Sequence, residues 1–192
     1  MVKRSRMSVV LPVVSVFFAP AVAVGEEALN AVTAFGARMA DNTWREIATL
    51  DNVGVRDAYL AGVALSRELA GTERWAVEVE GQTVRHFGNQ DHWEFNALVV
   101  GRWRGVPWRE QLPTSLAFGI GPSYATQVPA EEVASDGESA RLLLYWMAEV
   151  EVGLPDRPWS AIARLHHRSN AYGVVADNGG SNWLTLGVRR RF

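Results

Sequence analysis

The segment 164–170, with the sequence Arg-Leu-His-His-Arg-Ser-Asn, carries the side chains best suited to chemistry. His167 and Ser169 are two positions apart, so on a β-strand they share one face and their Cα atoms lie about 7 Å apart. At that distance an imidazole can reach a serine hydroxyl, which is the base and nucleophile arrangement of serine hydrolases. The alternative is that both side chains lie at a strand end and are merely solvated there.

The other three histidines do not indicate a catalytic or metal site. His166 has the opposite parity to His167 on a strand, and we expect it to join the internal charges together with Arg168. His86 and His92 flank a loop without further ligands at the usual metal-site spacing, so no metal is predicted. The chain contains no cysteine, which excludes disulfide scaffolds and thiolate zinc sites. No cofactor is expected.

The elements that would position the His/Ser pair are strands. Apolar and polar residues alternate with a period of two between turn signals along most of the chain. The clear segments are 73–87, 91–105, 112–123, 139–153, 158–170 and the end of the chain from Leu184 to Phe192; the weaker ones are 56–69 and 30–40. The pattern predicts about eight strands, each near the roughly 9–11 residues that cross a bilayer at a tilt.

The two faces of these strands distinguish a membrane barrel from a soluble barrel or sandwich. The apolar face carries tryptophans at strand ends, as membrane interfaces favour. The other face carries both signs of charge: Glu78, Glu80, Glu94, Glu149, Glu151, Arg102, Arg104 and Arg164. A soluble barrel would have to hold these ions in its ligand cavity. The sequence therefore favours an all-β fold, an eight-stranded antiparallel transmembrane β-barrel with Glu78, Glu80, Glu149, Glu151, Arg102 and Arg164 pointing inward.

The connections and the chain ends agree with this fold. Short links alternate with longer ones at 41–56, 86–92, 125–138 and 171–181, as in outer-membrane barrels. The acidic stretch around Glu131 and Glu132 is expected to be a solvated loop. A basic start, an apolar core and a small-residue motif predict that residues 1–23 are a secretory signal peptide, with an N-terminal anchor as the alternative. Residues 24–192 would then form the barrel in the outer membrane of a Gram-negative bacterium.

The direction of the strands predicts where the His/Ser pair lies in the membrane. With the mature N-terminus in the periplasm, the seventh strand runs outward. His167 and Ser169 would then lie on the lipid-facing wall at the outer leaflet, with the 171–181 loop above them. The net charge of −2 gives no bulk basicity for nucleic acid, so no nucleic-acid partner is expected.

The motif His167-x-Ser169-Asn170, followed by a glycine-containing loop and a last strand ending in Phe192, resembles the PagL-type lipid A 3-O-deacylases. These are eight-stranded outer-membrane barrels that hydrolyse the acyl ester at the 3-position of lipid A. The residue-level resemblance covers about the last 35 residues of the chain. It implies that His167 is the general base, that Ser169 is the nucleophile, that Asn170 supports the oxyanion site, and that lipopolysaccharide is the partner.

The triad acid departs from the family pattern. The family has a glutamate a dozen residues past the serine, where this chain has Ser181. Either Asp177, the nearest acid, takes the role, or Asn182 orients the imidazole without charge. The remaining alternative is a non-catalytic outer-membrane barrel with a structural or adhesive role, using loops 41–56 and 125–138 to bind a partner.

Overall fold

The computed structural model describes residues 30–41, 43–49 and 54–192, and the predicted signal peptide at 1–23 lies outside them. The strands are β1 (Asn30–Ala40), β2 (Val55–Gly71), β3 (Trp75–Gly88), β4 (His92–Trp103), β5 (Thr114–Ala125), β6 (Leu142–Gly153), β7 (Trp159–Ser169) and β8 (Gly180–Arg191). Two short helices, α1 (Trp44–Thr49) and α2 (Ala130–Asp136), lie in the long connections after β1 and β5. Neither described helix is long and apolar enough to cross a bilayer.

The strands form one closed barrel in sequence order, and each is antiparallel to its neighbours. The ends of β1 and β8 close it, because the N–H of Phe192 donates to the C=O of Asn30 at 2.9 Å and the N–H of Asn30 returns a bond of 3.3 Å. Closure leaves no strand edge unpaired. The predicted eight-stranded antiparallel barrel is confirmed.

The interior of the barrel is a network of ion pairs. Arg102 contacts Glu78 and Glu151 at 2.7 Å and Glu149 at 3.1 Å. Arg164 contacts Glu149 at 2.7 Å and Glu80 at 3.0 Å. All six residues predicted to point inward are buried, so that prediction is confirmed. In the low dielectric of the interior, removing one member of such an ion pair leaves a charge without compensation, which destabilises the fold.

The outer wall is apolar. Val77, Val99, Phe118 and Leu186 are among its exposed side chains. Trp75 and Trp103 lie next to each other near one rim, with ring centroids 6.3 Å apart. Such a wall, with aromatic residues at its rim, is typical of a barrel surrounded by lipid.

The acidic stretch before β6 corrects a prediction. Glu131 and Glu132 do not lie in a solvated loop: both are buried in the first turn of α2. Glu132 accepts hydrogen bonds from Arg168 at 2.7 Å and from Ser181 at 2.8 Å. The reason is that α2 brings its acidic turn over buried partners on β7 and β8. His166 and Arg168 join the internal network as predicted, with His166 Nε2 lying 3.0 Å from Glu94 Oε1.

Candidate active site

The candidate site lies on the outer wall where β6, β7 and β8 meet. His167 pairs with Trp146 on β6 and with Asn182 on β8, while Ser169 pairs with Leu144 and Gly180. His167 and Ser169 are half-buried, whereas the residues between and beside them on β7 are buried inside the barrel. The two side chains therefore emerge on the same outer face, at the end of β7 that leads into the 170–179 connection.

A hydrogen bond to Asn182 orients the imidazole ring. His167 Nδ1 lies 2.6 Å from Asn182 Oδ1. Because an amide oxygen only accepts, Nδ1 carries the proton in this arrangement. Nε2 then keeps its lone pair, which is the protonation state that a general base requires.

Ser169 lies at the start of a tight turn. Its Oγ accepts the N–H of Ala171 at 3.4 Å. Ala171 and Tyr172 have φ of 54° and 56°, a left-handed conformation that costs non-glycine residues energy. Among the hydrogen bonds of the described residues, none joins His167 to Ser169. Catalytic hydrogen bonds are often long or misaligned until substrate binds.

Asn170 braces the connection beyond Ser169. Its side-chain oxygen accepts the N–H of Tyr172 at 3.2 Å, and its Nδ2 donates to the C=O of Asp177 at 3.1 Å. Both ends of the amide are therefore engaged within the loop. Its role at an oxyanion site remains a prediction.

Neither of the two positions considered for a triad acid has a described contact with the ring. Ser181 faces the interior, where its hydroxyl donates to Glu132, so it does not share the outer face with His167. Asp177 is exposed in the loop, and its described hydrogen bond uses the backbone oxygen. The side chain that contacts His167 on β8 is Asn182, one position beyond Ser181.

An aromatic cluster that the sequence analysis did not connect with the site adjoins His167 on one side. The ring of Trp146 lies 4.5 Å from that of His167, tilted by 38°. Phe118 stacks on Trp146 at 5.9 Å, and Trp44 meets it edge-on at 6.1 Å. The outward parity of Phe118 and Trp146 was visible in the sequence, but α1, which carries Trp44, was not predicted.

A closed eight-stranded barrel with an apolar wall and a charged interior defines the class of small outer-membrane β-barrels. The sequence profile of the family described as lipid A 3-O-deacylase (PagL) matches residues 59–191. The chain belongs to this family.

One solved structure supports the fold, and two others are similar to this chain at lower TM-scores. The outer membrane enzyme PagL is 16% identical, with 84% of this chain and 99% of that chain covered and a TM-score of 0.52. Neisserial surface protein A is 13% identical, covering 85% and 97%, with a TM-score of 0.49. Ail, the attachment invasion locus protein of Yersinia pestis, is 12% identical, with 85% of this chain and 97% of that chain covered and a TM-score of 0.47. No curated protein sequence matches the chain.

Proposed function

We propose that this protein is an outer-membrane serine esterase that removes the 3-O-linked acyl chain of lipid A. Family membership supports the reaction class and the substrate. The observation that carries the proposal is the 2.6 Å contact between His167 Nδ1 and Asn182 Oδ1, which leaves Nε2 as a base on the wall that also carries Ser169. After cleavage of residues 1–23, the site would face the outer leaflet, where lipopolysaccharide lies.

The reaction follows from these groups. Nε2 of His167 takes the proton of Ser169 as Oγ attacks the ester carbonyl. The tetrahedral intermediate then expels the sugar oxygen, which receives the proton from His167, and an acyl-enzyme remains on Ser169. Water, deprotonated by His167, releases the fatty acid and restores the serine.

The backbone at the turn offers a group for the oxyanion. The N–H of Ala171 is the described donor that points at Ser169 Oγ, at 3.4 Å. An amide beside the nucleophile stabilises the charge that develops on the carbonyl oxygen when it turns from Oγ toward that oxygen. Asn170 supports it indirectly, since its amide fixes the loop that contains Ala171.

The apolar surface beside His167 suits an acyl chain. Trp146, Phe118 and Trp44 form a continuous aromatic surface that begins at the imidazole. Phe118 and Trp44 are exposed, so hydrocarbon can pack against them at membrane height. Lipid would thus approach sideways from the bilayer, without a luminal cavity.

Because Asn182 stands against His167 where a triad would have a carboxylate, we expect a slow enzyme whose kcat increases when a carboxylate is introduced at position 182. A neutral amide orients the ring but does not stabilise the imidazolium that forms during the reaction. In a serine protease the triad carboxylate both fixes the tautomer and stabilises the imidazolium, and replacing it by an amide lowers kcat by about 10⁴-fold. We expect Asn182→Asp to raise kcat at least about tenfold, because the new carboxylate occupies nearly the same position against Nδ1. Single-turnover kinetics on lipid A measure the effect.

Ser181→Asp is the matched control for that experiment, because it adds the same charge one residue away. Its side chain faces Glu132 inside the barrel, so it should lower thermal stability without raising kcat. Equal activation by both variants would show that the acid effect is not local to His167.

Asp177→Asn tests the second acid candidate. Because Asp177 is exposed and contacts the site through its backbone oxygen, we expect turnover to remain within about twofold of the native rate. A loss of a hundredfold or more in the same assay would place the Asp177 carboxylate in the triad.

The proposed activity is tested with the purified barrel refolded in detergent and mixed with lipid A. Release of a single species of fatty acid, with labelling of Ser169 by a fluorophosphonate, is the expected result. Fatty acid release without labelling at Ser169 would contradict the assigned nucleophile.

The second candidate function is a non-catalytic barrel with a structural or adhesive role. The amide opposite His167, where a triad would place a carboxylate, is the observation that favours it. A folded barrel that releases no fatty acid and leaves the fluorophosphonate unreacted would support this alternative.

A further inference from the structure

A second cluster of titratable side chains lies inside the barrel, on the opposite side of the wall from the His/Ser pair. His86 and His92 pair directly across β3 and β4, and Glu94 is the next inward residue on β4. One possible ligand atom from each of the three lies within 4.8 Å of the others. Their relative exposures are 1%, 3% and 0%, so water does not solvate them.

The contacts within this cluster leave ligand atoms without partners. His86 Nε2 lies 2.8 Å from Glu94 Oε2, and the rings of His86 and His92 stack with centroids 4.2 Å apart. Nε2 of His92 has no hydrogen-bond partner among the described residues. A buried polar atom without a partner is costly and needs an explanation.

We propose that His86, His92 and Glu94 bind one divalent transition-metal ion of the zinc type. Two imidazoles and a carboxylate are a donor set that zinc accepts, and the fourth position would be left to water or another side chain. Ligand atoms around tetrahedral zinc are about 3.4 Å apart, given metal–ligand distances near 2.1 Å. The 2.8 Å contact between His86 and Glu94 therefore has to widen, and distances longer than about 3.4 Å in the cluster have to shorten, by changes in side-chain rotamers. The unbonded His92 Nε2 leaves freedom for such a change.

Gln90 and His166 complete the surroundings of the cluster. Nδ1 of His86 lies 3.0 Å from the side-chain nitrogen of Gln90, whose oxygen has no partner among the described residues. If the amide is turned over, that oxygen accepts a proton from Nδ1, which directs the lone pair of Nε2 to a metal. His166 Nε2, 3.0 Å from the other oxygen of Glu94, is close enough to serve as the fourth ligand after a small shift.

Charge around the cluster favours a cation. Glu94 and Glu132 are both buried, and both contact Arg168, at 3.8 Å and 2.7 Å respectively. Metal ligation requires neutral imidazoles, and with these Glu94 and Glu132 share the Arg168 guanidinium. A metal ion between the histidines and Glu94 would offset the remaining negative charge.

The test is zinc binding by the full barrel, produced without a histidine tag, refolded and treated with chelator. We expect about one zinc per chain by elemental analysis after gel filtration and a Tm that rises with zinc concentration. His92→Gln and Glu94→Gln should each weaken zinc binding at least about a hundredfold, since they remove ligands rather than surrounding groups. His92→Gln removes no described hydrogen bond of Nε2, so its barrel should still fold.

His167→Gln is the matched control, because it removes the one of the four histidines that lies on the outer wall. Its zinc content should equal that of the native barrel. Zinc bound equally by native protein and by His92→Gln, or no zinc bound by the folded native barrel, would overturn the proposal. A loss of stability in Glu94→Gln without bound zinc in the native chain would show a proton-sharing cluster instead.

Discussion

Ser169→Ala is expected to lower kcat for lipid A deacylation by about 10³-fold to 10⁶-fold, the range seen when a nucleophile is removed from a serine hydrolase. The hydroxyl that attacks the ester is lost, while the half-buried position beside Gly180 accepts an alanine without strain. His167→Ala should cause a loss of similar size, since the base has no described substitute on the outer wall. The measurement is fatty acid release from lipid A by the refolded variants.

The double variant provides the internal control for this prediction. When two residues act as one unit, the effects of their substitutions on kcat do not add. We therefore expect the double variant, with Ser169→Ala and His167→Ala, to have a kcat within about tenfold of that of either single variant. All three barrels should unfold at the native temperature, within a few degrees. Full activity in folded Ser169→Ala would mean that another residue is the nucleophile.

Arg102→Met is expected to destabilise the barrel by about 3–5 kcal/mol, the usual cost of removing one partner from a buried ion pair. Arg102 contacts three glutamates, and its side chain has no exposure to solvent. Methionine has a similar length but carries no positive charge, so the carboxylates of Glu78, Glu149 and Glu151 lose the guanidinium that compensates them. The free energy of unfolding in urea, measured in lipid vesicles, reports this loss.

Arg157→Met is the matched control for charge and side-chain volume. Arg157 is exposed in the connection between β6 and β7, so its replacement should change the free energy of unfolding by less than about 0.5 kcal/mol. An Arg102 variant as stable as the Arg157 variant would contradict the view that the interior depends on its ion pairs.

The barrel could be predicted because the alternation that assigns each residue to the lipid face or the interior can be read within a single strand. Alternation along β4, for example, assigns Trp93 and Phe95 to the lipid face and Glu94 to the interior from sequence alone. The short helices could not be found this way, since α1 has 6 residues and α2 has 7, within polar connections. Helices this short depend on tertiary contacts rather than on their own propensity.

The burial of Glu132 shows what a local pattern cannot reveal. A pair of glutamates in an acidic connection between two strands predicts a solvated loop, because the sequence gives no sign of what lies opposite. The partner that buries Glu132 is Arg168, which is 36 positions further along the chain. Such a contact follows from how the connection folds over the barrel, not from composition.

The residue opposite His167 was only partly predictable. Counting from Ser169 selects Ser181, but a one-residue step along a strand moves a side chain to the other face. The outward parity of Leu184 and Leu186 already places Asn182 on the lipid side, and the register adds that it pairs with His167. The aromatic contact from Trp44 depends on α1 and had no signal of its own.

Mass spectrometry of lipid A tests the central proposal most directly. A Gram-negative host whose lipid A keeps its 3-O-linked acyl chain would express either the native chain or Ser169→Ala, with folded barrel in the outer membrane confirmed for both. The proposal predicts lipid A lighter by one 3-O-linked acyl group with the native chain and unchanged lipid A with the variant. Unchanged lipid A in the presence of folded native protein would contradict the enzyme proposal and leave the non-catalytic barrel.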